Sequence, residues 1–164
     1  MAKTITYQMQ YDAPVETVAA MLGDPEFRKE VCALQRVTRV DVTVEPLGAA
    51  GEGGKEVTID QWQPTQGMPS VAKKIVGDET NIVQHERWTS TTHGDITVTI
   101  PGKPGEMTGT ADLAEVDGGT VESVELTIKV KIPLVAGKLE SLIGDLLLKA
   151  LKAEQTAGRA YLSR

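Results

Sequence analysis

His85, Glu86, Arg87 and Trp88 are the densest run of chemistry-bearing side chains in the sequence. They sit in an alternating stretch, Val83 to Thr89, that reads as a strand. Alternation puts His85 and Arg87 on one face and Glu86 and Trp88 on the other. Facing an interior, His85 and Arg87 could polarise a carbonyl or bind a carboxylate head group. The competing arrangement turns both to solvent while Trp88 packs inward. With Tyr7 they make the one trio that could serve an acid–base enzyme. Tyr7 and Tyr11 share one parity of the first strand, where a hydroxyl could meet a polar ligand or reach water at the sheet edge. Trp62 and Trp88 could stack on a ligand or pack as core. His93 lies in a turn beside Gly94. Cys32 has no base near it in sequence and reads as a buried, inert thiol. No Ser/His/Asp arrangement or nucleophile elbow is visible, so no catalytic residue is assigned.

Metal and nucleotide chemistry find little support. One cysteine excludes an internal disulfide and a cysteine-built zinc site. The separation of His85 and His93 fits no common metal motif. No metal site and no cofactor are expected. Gly48 to Glu56 is glycine-rich, but Ala49 stands at the first glycine of a phosphate loop and Glu56 at its hydroxyl position. It also joins two strands instead of opening a helix, so it reads as a hairpin loop. The net charge of −6 and pI near 5.0 argue against nucleic acid. The first residues have no apolar signal core, and Gly144, Asp145 and Lys149 break the longest apolar stretch. The expectation is a cytoplasmic chain with no integral membrane segment.

The elements follow from periodicity. Ile5, Tyr7, Met9 and Tyr11 alternate with Thr4, Thr6, Gln8 and Gln10, giving a strand with one wet side. Asp12 or Ala13 caps a first short helix with Pro14 in its first turn. Gly23 ends that helix. Asp24-Pro25 opens a second, to about Leu34, which buries Phe27, Val31 and Leu34. Strands are predicted over Val37–Val44, Val57–Trp62, Val83–Thr89, Ile96–Ile100, Met107–Val116 and Thr120–Ile132, in a meander of hairpins. The stretch from Pro64 to about residue 80 carries no clear pattern. After Pro133 a helix of about 25 residues, roughly 38 Å long, repeats Leu139, Leu142, Ile143, Leu146, Leu147 and Leu151 at helical spacing. Lys138, Glu140, Asp145, Lys149, Lys152 and Glu154 take its other side. No linker or repeat divides residues 1–164, so a single domain is expected.

Widths then matter. Seven strands about 4.8 Å apart make a sheet roughly 30 Å wide, and one helix is about 10–12 Å across. The sheet must curl to hide its dry face, leaving a space that side chains fill or that stays open. At 164 residues the chain is long enough for such a core, but only 4% of residues are aromatic. Gly109, Ala111 and Gly144 are small, which favours an opening. The expected walls are Val124, Leu126, Ile128 and Val130 on the last strand and Ile96 and Val98 on an inner one. Leu139, Leu142, Ile143 and Leu146 on the long helix complete them, and Tyr7 supplies a hydroxyl. The expected partner is a hydrophobic small molecule. A protein partner on the outer sheet face is disfavoured by its Thr, Lys and Glu residues.

This order of elements resembles the helix-grip fold: α+β, a seven-stranded antiparallel curved sheet wrapped around a long C-terminal helix, with two short helices between strands one and two. It is the fold of START lipid-transfer domains, birch pollen allergen and polyketide cyclases, the SRPBCC superfamily. Tyr11-Asp12-Ala13-Pro14-Val15-Glu16-Thr17-Val18 and Met21-Leu22-Gly23-Asp24-Pro25-Glu26-Phe27 resemble the first helical segments of bacterial members. Ala19 stands where many relatives carry an aromatic. Val130 to Glu140 resembles the start of the long helix in an actinobacterial branch classed as a domain of unknown function. The resemblance implies binding of apolar or amphipathic molecules such as lipids, sterols or polyketides. It also admits an enzyme of polyketide cyclase or hydratase type.

Overall fold

The computed structural model describes residues 2–48 and 54–164. Seven strands form one antiparallel sheet: β1 (Ala2–Tyr11), β2 (Arg39–Leu47), β3 (Gly54–Pro64), β4 (Glu79–Trp88), β5 (His93–Thr99), β6 (Gly105–Val116) and β7 (Gly119–Val130). Their order is β1-β7-β6-β5-β4-β3-β2. Strands β2 to β7 run as the expected meander, and β1 joins the far edge beside β7, with Tyr7 opposite Val124. Helices α1 (Val15–Leu22) and α2 (Pro25–Leu34) follow β1, and α4 (Ala136–Leu162) ends the chain. This is the helix-grip arrangement. The glycine-rich hairpin reading of Gly48 to Glu56 lies largely outside the described residues.

Local chemistry explains the ends of the helices. The Asp24 side chain accepts from the Glu26 N–H at 2.9 Å and caps α2, with Pro25 in the first turn. At α1 the cap is Pro14 itself, not Asp12 or Ala13, and its carbonyl receives the Thr17 and Val18 N–H groups. The unpatterned stretch holds a short helix, α3 (Ser70–Val76), begun by Pro69 and ended by Gly77 at φ +83°. Seven residues are too few for a helical period to stand out.

The core is solid at one end of the grip. Met9, Val18, Met21, Leu22, Phe27, Val57, Trp88 and Ile128 are fully enclosed there. The small residues of α4 do not leave the space their size suggests. A Cβ on Gly144 would stand 3.3 Å from Ile5 Cγ2 and 3.5 Å from Ile128 Cδ1, and one on Gly158 only 2.6 Å from Tyr11 Cε1. These glycines let α4 lie directly on β1 and β7. Gly109 is just as close to the β7 backbone, since a Cβ there would overlap the Glu125 carbonyl. The open space therefore lies on the other flank of α4, over β3 to β6 and parts of β7.

Three further expectations about burial are corrected. Leu34 is 55% exposed, because α2 turns that position to the rim and not to the core. Glu140 and Glu154, assigned to the wet side of the long helix, are buried. Glu140 Oε2 accepts the Val130 N–H at 2.9 Å and ties the start of α4 to the end of β7. Glu154 faces a charged cluster described below.

Candidate functional site

Two adjoining spaces lie between the sheet and α4. The larger, about 380 Å³, is walled by Ile82, Val98, Met107 and Val130 from the sheet and by Ile100 just after β5. Leu139, Leu142, Ile143, Leu146 and Leu147 face them from α4, and Met68, Ala72, Ile75 and Val76 close the side from α3 and the turn before it. Its volume falls in the range of small-molecule sites. The walls are mostly aliphatic, and α3 gains its purpose here: Ala72 and Ile75 cover what α4 is too narrow to reach. Thr80 Oγ1, also in this wall, is buried without a hydrogen-bond partner.

The smaller space, about 50 Å³, is lined in part by charged and amide side chains. Arg28 from α2, Glu86 from β4, Glu122 from β7 and Glu154 from α4 meet there, with Gln61 and Gln84 beside them. Ile96, Val98, Val124 and Leu126 form its apolar side. The two spaces share Gln35, Gln61, Gln84, Val98, Leu147 and Ala150 as walls. An apolar cavity thus adjoins a charged inner chamber.

The charges are arranged with care for some groups and not for others. Arg28 donates to both oxygens of Glu86, at 2.8 and 3.0 Å, and its Nε donates to the Leu22 carbonyl at 2.8 Å. That geometry is bidentate and nearly dry. Glu86 also accepts from Trp88 Nε1 at 2.9 Å and from the Gln84 amide. Lys55 donates to the Ala19 carbonyl at 2.7 Å and lies 5.2 Å from the Trp88 ring centre. Arg28 and Lys55 together donate to carbonyls in the last turn of α1, where the helix dipole favours cations. Glu154 Oε1 is 3.7 Å from Arg28, and Glu122 Oε1 has no hydrogen-bond partner although the residue is 2% exposed.

Proton affinities follow from this crowding. Burial pushes Glu122 well above the usual carboxylate range, and Glu154 and Glu86 add to the rise. Burial likewise lifts Glu154 to about 7, against the pull of Arg28. Burial opposes the Arg28 charge, but Glu86, Glu154 and Glu122 outweigh it and hold that proton more firmly than usual. Burial raises Tyr11, assisted by Glu154 and Glu122, and raises the Cys32 thiol to about 11. Cys32 is therefore a protonated, unreactive thiol at neutral pH.

The structure distributes the sequence-nominated residues unevenly. Ile96, Val98, Val124 and Leu126 wall the inner chamber, and Val98, Val130, Leu139, Leu142, Ile143 and Leu146 wall the larger cavity. Ile128 lines neither, since it is consumed in the contact beneath Gly144. Tyr7 lines neither, because α4 sits tight against β1. His85 and Arg87 stand on the outer face of β4, their side chains 41% and 56% exposed, within 3.8 and 3.6 Å of Glu56. Trp88 packs inward, which carries Glu86 inward with it. The trio Tyr7, His85 and Arg87 has no common cavity. Sequence reasoning passed over Arg28, Glu122 and Glu154 as site residues and named Glu86 without giving it a role. Two signals were present: Glu86 shares the parity of Trp88, and Glu122 shares that of Val124 and Leu126. Among the described residues no group of His, Cys, Asp and Glu is placed to hold a metal ion, and no helix is long and apolar enough to cross a membrane.

Known proteins resemble this chain in sequence or in fold. An uncharacterized protein of Mycobacterium tuberculosis, Rv0481c, is 28% identical over 166 residues, 94% of each chain. The di-domain ARO/CYC BexL of the BE-7585A biosynthetic pathway superposes with a TM-score of 0.62 at 16% identity, over 97% of this chain and 49% of that one. A START superfamily protein from Mycobacterium smegmatis superposes with a TM-score of 0.55 at 13% identity, over 93% and 94%. These structures share the helix-grip fold with it. The family model described as "Protein of unknown function (DUF2505)" matches residues 6–162, and the chain belongs to that family.

Proposed function

We propose that this chain, acting as one domain over residues 1–164 in the cytoplasm, binds a hydrophobic or amphipathic small molecule between its sheet and α4. Lipids, sterols and polyketide-like compounds are the fitting classes. The observation that carries the reading is the aliphatic cavity of about 380 Å³ beside α4. A well-packed domain leaves few voids larger than water, so a space of this size with mobile-tailed walls such as Met68 and Met107 suits a guest. Each 100 Å² of apolar ligand surface covered there contributes about 2.5 kcal/mol before the entropic cost of binding.

Native mass spectrometry of the purified protein, with solvent extraction, tests this directly. A bound apolar mass, or uptake of an apolar dye that Leu142→Lys abolishes in a folded protein, is the expected result. A ligand-free protein that takes up no apolar probe, or unchanged uptake by folded Leu142→Lys, overturns it. The second reading is an enzyme of polyketide cyclase or hydratase type, favoured by one observation: Glu122 is a buried carboxyl without a partner beside the cavity. Its basis is no longer Tyr7, His85 and Arg87.

A further inference from the structure

The inner chamber is more than the end of an apolar cavity. A carrier of purely apolar molecules gains nothing from three carboxyl groups held out of water, and burying them carries a desolvation cost. Glu86 is accounted for: Arg28, Trp88 and Gln84 satisfy it. Glu122 is not. Its Oε1 is sealed from solvent and meets no donor, while the residue forms part of the chamber wall. Buried polar atoms in this state are rare and call for a partner that the protein itself does not provide.

We propose that the chamber is a subsite for the primary ammonium group of an amphipathic ligand whose apolar body occupies the larger cavity; this inference rests on the ligand-binding reading above. Charge supports it. The walls carry one cation, Arg28, against Glu86, Glu122 and Glu154, and Arg28 is already committed to Glu86 and the Leu22 carbonyl. Lys55 is engaged by the Ala19 carbonyl and is not a chamber wall. The chamber therefore lacks positive charge. Size supports it too: about 50 Å³ accepts a head of one or two heavy atoms and refuses a phosphocholine. A primary ammonium brings three N–H donors on a single atom, which suits Glu122 and Glu154 together. Carboxylate and phosphate heads find no free cation there. The chamber adjoins the larger cavity along Gln35, Gln61 and Gln84, so one molecule can fill both.

Without a cation, protons meet the excess charge, as the raised proton affinities of Glu122 and Glu154 indicate. The groups around them are Arg28 from α2, Glu86 from β4, Lys55 from β3 and Tyr11 from β1. An ammonium takes the place of such a proton and leaves a charge-assisted contact.

Calorimetric titration with decylamine, decanol and decanoate at neutral pH tests the assignment, on the wild-type chain and on Glu122→Gln. The three probes share one tail and differ in head. Wild type should bind decylamine about tenfold or more tighter than decanol, with decanoate weakest. Glu122→Gln should lose most of that preference, and its thermal unfolding reports separately that the chain is folded. Equal or tighter wild-type binding of decanol or decanoate overturns the subsite and leaves the cavity reading standing. An amine preference that survives in folded Glu122→Gln overturns it as well. Failure of all three probes to bind sinks both readings together. The wild-type comparison needs no variant, so a misfolded Glu122→Gln does not remove the test.

Discussion

Arg28 is the residue on which the charged interior turns. It is 3% exposed and joins α2 to α1 through the Leu22 carbonyl, to β4 through Glu86, and to α4 through Glu154. Removing one member of such a buried pair leaves the other without compensation. Arg28→Ala should therefore destabilise the fold by about 3–5 kcal/mol in denaturant titration. Arg28→Ala paired with Glu86→Ala should recover part of that loss, since no carboxylate is then stranded at that point. A double variant that is less stable than the single one by the full cost of Glu86→Ala would show that the two residues act independently. The sequence located Phe27 and Val31 around Arg28 but gave no reason to bury a cation between them. Its partner lies 58 positions away, and only the tertiary fold brings the two together.

At the scale of elements, α4 decides where space remains. Its helical stripe was legible as Leu139, Leu142, Ile143, Leu146 and Leu151, and its length, 27 residues, agrees with the repeat. Which flank would be tight was not legible. Gly144 and Gly158 bring the helix onto β1 and β7, so the void moved away from the residues chosen for smallness. Gly158 is the stricter contact, with the Tyr11 ring held by burial and by its hydroxyl 3.5 Å from Met9 Sδ. Gly158→Ala should cost about 1–3 kcal/mol through overpacking, in spite of the better helix propensity of alanine. Gly144→Ala meets only side-chain atoms at 3.3 Å and beyond and should lie within about 1 kcal/mol of wild type. Thermal unfolding of the two variants checks the difference. If Gly158→Ala melts at or above the wild-type temperature, α4 is not seated on Tyr11 as described.

For the whole molecule the buried carboxyls set a pH dependence. Glu154 binds its proton up to about 7 in the folded chain and to an ordinary carboxylate value when unfolded. Between those values the folded state holds more protons, so this group contributes stability at low pH that is lost as pH rises. Stability should fall from about pH 5 to pH 7, and Glu154→Gln should flatten the slope across that window by an amount on the order of 1–3 kcal/mol. Urea titrations at pH 5, 6 and 7 read it. A slope unchanged in Glu154→Gln removes Glu154 as its source. Glu122, whose proton affinity burial also raises, acts in the same direction. A bound ammonium would oppose it by replacing the missing proton.

The sequence by itself determined the succession of the seven strands and of every helix but α3, which residues of each strand share a face, and the excess of sheet width over helix width. Those properties depend on the period of apolar residues and on turn chemistry, which are local. It also determined that His85 and Arg87 share one face and Glu86 and Trp88 the other, without saying which face was inside. Only the tertiary structure decided that. Burial of Trp88, the larger apolar group, drew Glu86 inward, and Arg28 compensated the charge. It also decided which flank of α4 stayed open, because that rests on a glycine meeting a tyrosine ring from the opposite end of the chain. The site is assembled by pairs far apart in sequence, and a period in the sequence carries no record of them.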